Sequence, residues 1–266
     1  DDPNLGGPQR PPDPVAGQNV KVLLLDIETA PNKAYVWGLW EQNISLNQLD
    51  SSSYVLCWSA QWWGEEEIIY HSIRGTGGRI GMLRHIHRLL SQADTVVHYN
   101  GLKFDIPTLN KEFVKYKMKP PAPYKQVDLM QVCKYRFRFE SNKLIYVAGA
   151  LGLGAKVQHE GFTLWTQCMA GDPVAWKRME EYNRRDVKLL ASLYARLLPW
   201  IEKHPNRSAE MDVECCPKCG STHFHRRGEV LTSTLRYARF QCQACAGWFR
   251  GTKTVSRRVR RMTNII

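Results

Sequence analysis

Near its beginning the sequence contains a nearly continuous apolar run, residues 20–27, that ends in carboxylates. Such a run is typical of a strand buried within a sheet. Alternate side chains of a strand share a face, so Asp26 and Glu28 point the same way while Ile27 points into the packing. Two carboxylates about 7 Å apart on one face can share a divalent cation. A polar strand end would show the same local pattern, so this segment alone does not define a site.

Strand and helix patterns follow this run along the chain. The sequence predicts strands over residues 53–63, 67–73 and 95–99, and helices over residues 80–91, 106–116 and 143–151. Asp172 followed by Pro173 is a strong helix start, and we expect that helix to reach Leu198. Together these elements predict an α/β fold in which helices flank a mixed sheet.

Two further segments carry acids at positions that could face the first pair. Asp105 follows a predicted strand and an Asn100-Gly101 turn, although N-capping of the next helix would explain an aspartate there equally well. Tyr182 and Asp186 lie four residues apart on the predicted long helix and therefore share a face. Asp186 continues an apolar stripe, where an acid is either directed at a partner or lies at the edge of the stripe.

Taken in order, the three segments resemble a known family of nucleases. The motifs are Asp26-x-Glu28, Asn100-Gly101-x-x-Phe104-Asp105 and Tyr182-x-x-x-Asp186. This set resembles the DEDDy-type 3′–5′ exonucleases, the DnaQ-like branch of the ribonuclease H-like superfamily, over about residues 20–200. The likeness is closest to the predicted-exonuclease domains of bacterial and phage proteins. A sister subclass carries histidine five positions before the last aspartate, where this chain has Glu181, so Tyr182 assigns the tyrosine subclass.

The resemblance implies a ribonuclease H-like fold and two-metal hydrolysis of phosphodiester bonds, with two Mg²⁺ or Mn²⁺ as cofactors. By position, Asp26 would bridge both ions. Glu28 and Asp186 would complete one metal site, and Asp105 would hold the second ion, partly through water. Tyr182 would orient the attacking water through its hydroxyl.

Three other polar residues near these motifs are not assigned to catalysis. Asp128 is common in the family as an acid, but capping of a helix explains it at least as well. His98 and His159 are interpreted as structural. Asn100 is assigned to nucleic-acid binding together with the second motif.

Five of the eight cysteines crowd into one short stretch of the sequence, including the pairs Cys216/Cys219 and Cys242/Cys245. Two C-x-x-C pairs present four thiolates in the way a tetrahedral Zn²⁺ requires, and so predict one structural zinc in a ribbon. Strand patterns over residues 229–234 and 235–241, with a third from residue 248, support this module. A redox dithiol is disfavoured because two pairs are present without a thioredoxin-like context. Cys215 could replace Cys216, yet the two-residue gap favours Cys216.

Basic residues are concentrated in the same region. Residues 203–266 hold 13 Lys/Arg against 4 Asp/Glu, so most of the formal net charge of +12 lies there. Such density suits a polyanion, and interleaved aromatic rings suit base stacking, although a solvated basic tail or a protein-docking ribbon would share the composition. The residues assigned to nucleic-acid contact in the ribbon are Arg226, Arg227, Arg236, Arg239, Trp248 and Arg250.

These patterns divide the chain into five parts. They are a disordered segment 1–19, an exonuclease domain 20–203, a linker 204–212, a zinc ribbon 213–254 and a basic tail 255–266. No apolar run is long enough to span a membrane and the start lacks a signal-peptide pattern, so we expect a cytoplasmic protein without a membrane partner.

The functional hypothesis is a 3′–5′ exonuclease acting on DNA, or alternatively RNA, with a polymerase or other replication protein as a further candidate partner. There are two competing hypotheses: a non-catalytic nucleic-acid-binding protein and a structure-specific endonuclease. The complete set of four acids and a tyrosine argues against the first of these two.

Overall fold

The strand formed by the apolar run lies at the centre of a five-stranded sheet. The structure, a computed structural model, describes residues 20–154, 161–211 and 213–255. Its first seven strands are β1 (Val22–Ala30), β2 (Lys33–Ala34), β3 (Leu49–Ser51), β4 (Tyr54–Trp62), β5 (Ile68–Ser72), β6 (Thr95–His98) and β7 (Lys125–Asp128). Five of them form the sheet in the order β5-β4-β1-β6-β7. Strand β1 is antiparallel to β4 and parallel to β6, so the predicted mixed sheet is confirmed.

Six helices of the described chain accompany this sheet. They are α1 (Gly78–Gln92), α2 (Asp105–Lys115), α3 (Leu129–Arg136), α4 (Leu144–Ala150), α5 (Thr163–Met169) and α6 (Pro173–Leu197). Helix α6 begins as predicted, because the Asp172 carboxylate accepts the backbone N–H of Val174 at 2.8 Å. Strand β7 and helices α3 and α5 were not predicted, since each is short and carries little periodicity. Among the described residues, no helix is both long and apolar enough to cross a membrane.

The two faces of β1 pack against different helices. Val22 and Leu24 lie in an apolar cluster with side chains of α6, including Leu190 and Leu193. Leu23, Leu25 and Ile27 lie in a second cluster with residues of α1 and α2. Because Asp26 and Glu28 continue the face of Val22 and Leu24, the fold directs both acids towards α6.

The pair of strands β2 and β3 extends the chain beyond the end of β1. The segment between them exposes large apolar side chains, among them Trp37, which is 100% exposed, and Trp40, which is 84% exposed. These side chains therefore add nothing to the core of the sheet.

A second, three-stranded sheet is formed near the end of the described chain. Its strands are β8 (Phe224–Leu231), β9 (Arg236–Cys242) and β10 (Trp248–Thr254), in the antiparallel order β10-β9-β8. The bounds predicted for the strand at residues 229–234 were wrong, because β8 begins and ends earlier. Thr232 and Leu235 instead close a turn, in which the Thr232 N–H donates to the Leu235 carbonyl at 2.9 Å. The strand breaks there because the side chain of Thr232 bonds back to the backbone of Leu235.

This three-stranded ribbon is packed against the domain that contains the five-stranded sheet. Its four clustered cysteines share one apolar cluster with Tyr194 and Leu197 at the end of α6. Residues 204–212, assigned above to a linker, include a short 3₁₀ helix, Arg207–Glu210. The Arg207 guanidinium donates to the carbonyl of Cys219 at 3.1 Å. The segment 1–19, His159 and the tail beyond Val255 lie outside the described residues.

Candidate active site

Three of the predicted acids meet between β1 and α6. Asp26 and Glu28 on the strand and Asp186 on the helix each offer an oxygen, and these oxygens lie within 4.8 Å of one another. Two come from alternate positions of one strand and the third from the helix that packs on the same strand face. This spacing suits oxygen ligands gathered around a hard divalent cation.

Asp105 lies beside this group, but its carboxylate oxygens are not within 4.8 Å of all three other acids. Its side chain is buried, and its Oδ1 accepts the backbone N–H of Ile27 at 3.2 Å. Capping of α2 does not account for it, because Phe104 occupies the cap position and no side chain caps that end. The carboxylate is therefore bound to the backbone of β1 between the two strand acids.

Burial and mutual repulsion disfavour the charged forms of these acids. Burial first, then the nearby charges of Glu28, Asp105 and Asp186, raises the pKa of Asp26 well above its usual range. Burial and the charge of Asp186 raise the pKa of Glu28 to about 8. Burial raises the pKa of Asp105 to about 7. A bound cation would offset this repulsion, so the group fits a divalent metal.

Two neutral side chains that sequence reasoning missed hold the strand acids in place. The Asn183 amide donates to Asp26 Oδ2 at 2.6 Å, and the Trp165 indole N–H donates to Glu28 Oε2 at 3.1 Å. Asn183 is one position after Tyr182 in the third motif, and Trp165 lies on α5. Neither residue was singled out from the sequence, and the burial of Asn183 among the apolar residues of α6 is visible only in the structure.

Tyr182 lies one helical turn before Asp186 and faces the same group. Its ring meets the ring of Trp165 edge to face, with centroids 5.9 Å apart. Burial, then the charges of Asp186 and Glu28, raises the pKa of Tyr182 above its usual value. The phenol therefore stays protonated at neutral pH and can donate a hydrogen bond.

A tight turn fixes the backbone that leads to Asp105. Asn100 has a positive φ of 67°, and its N–H donates to Asp128 Oδ1 at 2.9 Å. The Gly101 N–H donates to Nδ1 of the fully buried His98 at 3.1 Å, and a Cβ at Gly101 would lie 2.3 Å from that ring.

Asp128 also caps α3 through the N–H of Met130, so both Asp128 and His98 have structural contacts. Asn100 itself is half-buried.

The four predicted zinc ligands lie together at the sheet-facing end of the ribbon. The sulfurs of Cys216 and Cys245 are 3.7 Å apart, and those of Cys219 and Cys242 are 3.5 Å apart. Tetrahedral Zn–S bonds of about 2.3 Å place sulfurs roughly 3.8 Å apart, so the four thiols fit a zinc ion. Cys215 instead directs its sulfur to Met211 Sδ, at 3.5 Å.

The predicted nucleic-acid-binding residues of the ribbon are all exposed. They are Arg226, Arg227, Arg236, Arg239, Trp248 and Arg250. All are on the three-stranded sheet and none belongs to the acidic group. The structure thus brings the acids together in one place and the basic residues in another.

Comparisons with known proteins agree with this architecture. The family model described as the RNase H superfamily matches residues 23–198. A solved structure of the family B DNA polymerase from the hyperthermophilic archaeon Pyrobaculum calidifontis is similar in fold, with a TM-score of 0.51 and 14% sequence identity. The match covers 84% of this chain and 33% of the polymerase, so this chain spans about a third of that protein. No curated protein matches the sequence significantly. The predicted ribonuclease H-like fold is confirmed.

Proposed function

The chain belongs to the RNase H superfamily, and on that premise we propose that it is a metal-dependent 3′–5′ exonuclease. It would hydrolyse phosphodiester bonds of DNA or RNA and release nucleoside monophosphates. The observation that carries this proposal is the convergence of Asp26, Glu28 and Asp186, from one strand and one helix, within 4.8 Å. A nuclease of this superfamily needs such a cluster to bring a divalent cation to the scissile phosphate.

Four acids of the chain would hold two Mg²⁺ or Mn²⁺ ions. Asp26, Glu28 and Asp186 supply the compact group, and Asp105 supplies a carboxylate beside Asp26. When bound, the metals lower the pKa of a water and stabilise the entering and leaving oxygens. Burial first, and then the charge of Asp186, raises the pKa of Glu28, which supports the assignment because buried oxygen ligands that repel one another gain most from a cation.

Other side chains of the site position these groups. Asn183 restrains Asp26, and Trp165 restrains Glu28, each by a hydrogen bond to the carboxylate. The protonated Tyr182 hydroxyl orients the attacking water, which is the role implied by its place in the third motif. Rigid donors of this kind keep the ligand oxygens in a fixed arrangement before substrate arrives.

DNA is the favoured substrate and RNA the alternative, because the similar solved structure is a DNA polymerase. The ribbon would hold one Zn²⁺ through its four cysteines and contact the nucleic acid through its three-stranded sheet. A polymerase or other replication protein remains a further proposed partner.

A cleavage assay tests this proposal. Single-stranded and duplex DNA and RNA, labelled at the 5′ end, are incubated with Mg²⁺ or Mn²⁺, and the products are separated by length. We expect a ladder that shortens from the 3′ end and disappears in Asp26→Asn. The matched control is Asp50→Asn, which neutralises an exposed carboxylate on β3 and should leave the ladder unchanged. Internal cuts would indicate an endonuclease, and the lack of any metal-dependent product would indicate a non-catalytic protein.

A further inference from the structure

Strand register divides four paired arginines of the ribbon between the two faces of its sheet. In β9, Arg236, Ala238 and Phe240 point to one side, and Tyr237, Arg239 and Gln241 point to the other. Pairing with β8 and β10 extends both sets, because paired residues of neighbouring strands share a face. Composition alone does not show this division.

The arginines on the Arg236 face already have an anionic partner. Arg226 lies 3.8 Å and Arg236 3.3 Å from the carboxylate of Glu229. Glu229 carries one negative charge and is shared by both guanidinium groups, so it balances about half of their positive charge within the protein. This face therefore offers less free charge to a polyanion than two arginines without a carboxylate partner would.

The arginines on the opposite face have no such partner. Arg239 and Arg250 pair directly across β9 and β10, where like charges destabilise a sheet. Neither guanidinium forms an ion pair with any residue that the structure describes. Two adjacent positive charges without a carboxylate suit an anionic ligand that neutralises them on binding.

Aromatic rings on this second face hold both arginines in place. The Arg239 guanidinium lies over the ring of Trp248 at 5.0 Å, and that of Arg250 lies over the ring of Tyr237 at 3.9 Å. A guanidinium that lies over a ring still has N–H donors free of the ring, so it can bind phosphate. Trp248 remains 48% exposed and can therefore accept a base against its ring.

We propose that Tyr237, Arg239, Trp248 and Arg250 form a face that binds a single-stranded segment of nucleic acid. The two arginines contact successive backbone phosphates, and Trp248 stacks on an unpaired base. A duplex does not fit this mode, because its base faces are covered by their neighbours. The inference deepens the proposed function and rests on its premise that the ligand is nucleic acid.

The location of the ribbon indicates that this face binds the nucleic-acid strand and takes no part in the cleavage step. The cysteine end of the ribbon packs beside Leu197, about three turns of α6 and roughly 16 Å beyond Asp186. Substitutions on the face should therefore weaken substrate binding and raise KM while kcat stays close to that of the unaltered protein.

The decisive experiment compares two double variants that lose the same charge from opposite faces. Binding of a 5′-fluorescein-labelled single-stranded oligonucleotide is measured with the zinc-loaded full chain, without Mg²⁺ or Mn²⁺, over a series of salt concentrations. We expect Arg239→Ala/Arg250→Ala to bind at least about tenfold more weakly and to reduce the slope of log affinity against log salt by about 1.4. Arg226→Ala/Arg236→Ala should change both quantities clearly less.

Trp248→Ala tests the single-strand claim separately. It should weaken binding of the single strand about 5-fold to 150-fold, the range for loss of one base stack, and leave binding of the matching duplex unchanged. Equal losses in both double variants, or no loss in either, would overturn the proposal, as would an unaltered affinity of Trp248→Ala. Binding is measured without cleavage, so the two proposals can fail separately. A protein that binds as expected but does not cleave refutes only the exonuclease. A protein that cleaves normally, while substitutions on this face leave binding unchanged, refutes only this inference.

Discussion

The side-chain amide of Asn183 donates to Asp26 Oδ2 at 2.6 Å and reaches the Asp26 carbonyl oxygen at 3.4 Å. Asn183 is fully buried on α6, so this contact connects the helix that carries Asp186 to the strand that carries Asp26 and Glu28. The hydrogen bond lowers the pKa of Asp26 against the larger opposing effect of burial. A neutral donor at this position therefore favours the ionised form that a metal ligand needs.

Asn183→Asp should destabilise the protein, and more so as the pH rises. The substitution replaces the amide donor with another buried acid beside Asp26, and its ionisation is opposed by burial and like charge. We expect the melting temperature without divalent metal to fall further below that of the unaltered protein at pH 8 than at pH 5. Asn183→Ala is the control, since it removes the hydrogen bond without adding charge and should cost about 3–10 °C at both pH values. Equal stability of Asn183→Asp and the unaltered protein at pH 8 would refute this account.

How far the sequence predicts the site depends on the kind of signal each residue leaves. Asp26, Glu28, Asp186 and Tyr182 follow from strand and helix periodicity, because their neighbours place them on defined faces. Asn183 and Trp165 belong to no such pattern, and their contacts arise only from tertiary packing. Asp105 shows the converse case, in which a local capping interpretation gives way to a long-range bond to Ile27.

The same distinction applies to the fold. The long helix α6 and the buried strands β1 and β6 were predicted from runs that are either periodic or continuously apolar. Strand β7 is only four residues long and begins with exposed Lys125, so its place at the sheet edge depends on pairing with β6. Pairing of this kind has no local sequence signature.

Without divalent metal, stability should decline as the pH rises through the pKa values of the site. The pKa values of Glu28 and Asp105, at about 8 and about 7, lie above their usual values of 4.5 and 3.8. A raised pKa in the folded state means that stability is complete below the usual pKa and is lost as the pH rises through the folded value. Glu28→Gln should therefore be more stable than the unaltered protein at pH 8.5 and lose that advantage at pH 4.5.

Melting curves of the two proteins across this pH range, with zinc retained, provide the measurement. Addition of Mg²⁺ or Mn²⁺ at pH 8.5 should stabilise the unaltered protein more than Glu28→Gln, since the variant has lost one ligand. A difference between the two proteins that does not change with pH would show that Glu28 ionises at its ordinary pKa.

Trp165→Phe should weaken metal binding while leaving the fold intact. Phenylalanine keeps an aromatic ring against Tyr182 but removes the indole N–H that donates to Glu28 Oε2. Because that hydrogen bond lowers the pKa of Glu28, its loss raises the pKa further and moves the rise of activity to higher pH. Titration of Mn²⁺ should show an affinity about tenfold or more below that of the unaltered protein. Trp176→Phe is a useful control, because its indole bonds the Cys168 carbonyl and not an acid of the site. Similar metal affinities in both variants would exclude the proposed role of Trp165.

Loss of one zinc ligand should destabilise the whole described chain and not the ribbon alone. Cys242 lies in the same apolar cluster as Tyr194 and Leu197, so the proposed zinc site is part of the core around α6. Cys242→Ser should remove the bound zinc and lower the melting temperature of the entire transition. Cys215→Ser, whose sulfur contacts Met211 Sδ, should retain one zinc per chain and nearly unaltered melting. A variant at Cys242 that loses zinc yet keeps the original main transition would show that the ribbon folds independently.

Tyr182→Phe separates water orientation from metal binding. The substitution removes the hydroxyl and keeps the ring that meets Trp165, so the packing between α5 and α6 is preserved. The hydroxyl is protonated at neutral pH because burial and nearby acids raise its pKa, and it therefore acts as a hydrogen-bond donor. We expect kcat to fall roughly 10²- to 10⁴-fold with little change in KM, and Mn²⁺ affinity to fall much less than kcat. Tyr70→Phe, which removes another buried hydroxyl on β5, should leave kcat nearly unchanged. If Tyr182→Phe lost Mn²⁺ affinity in proportion to kcat, the hydroxyl would serve the metal ligands and not the attacking water.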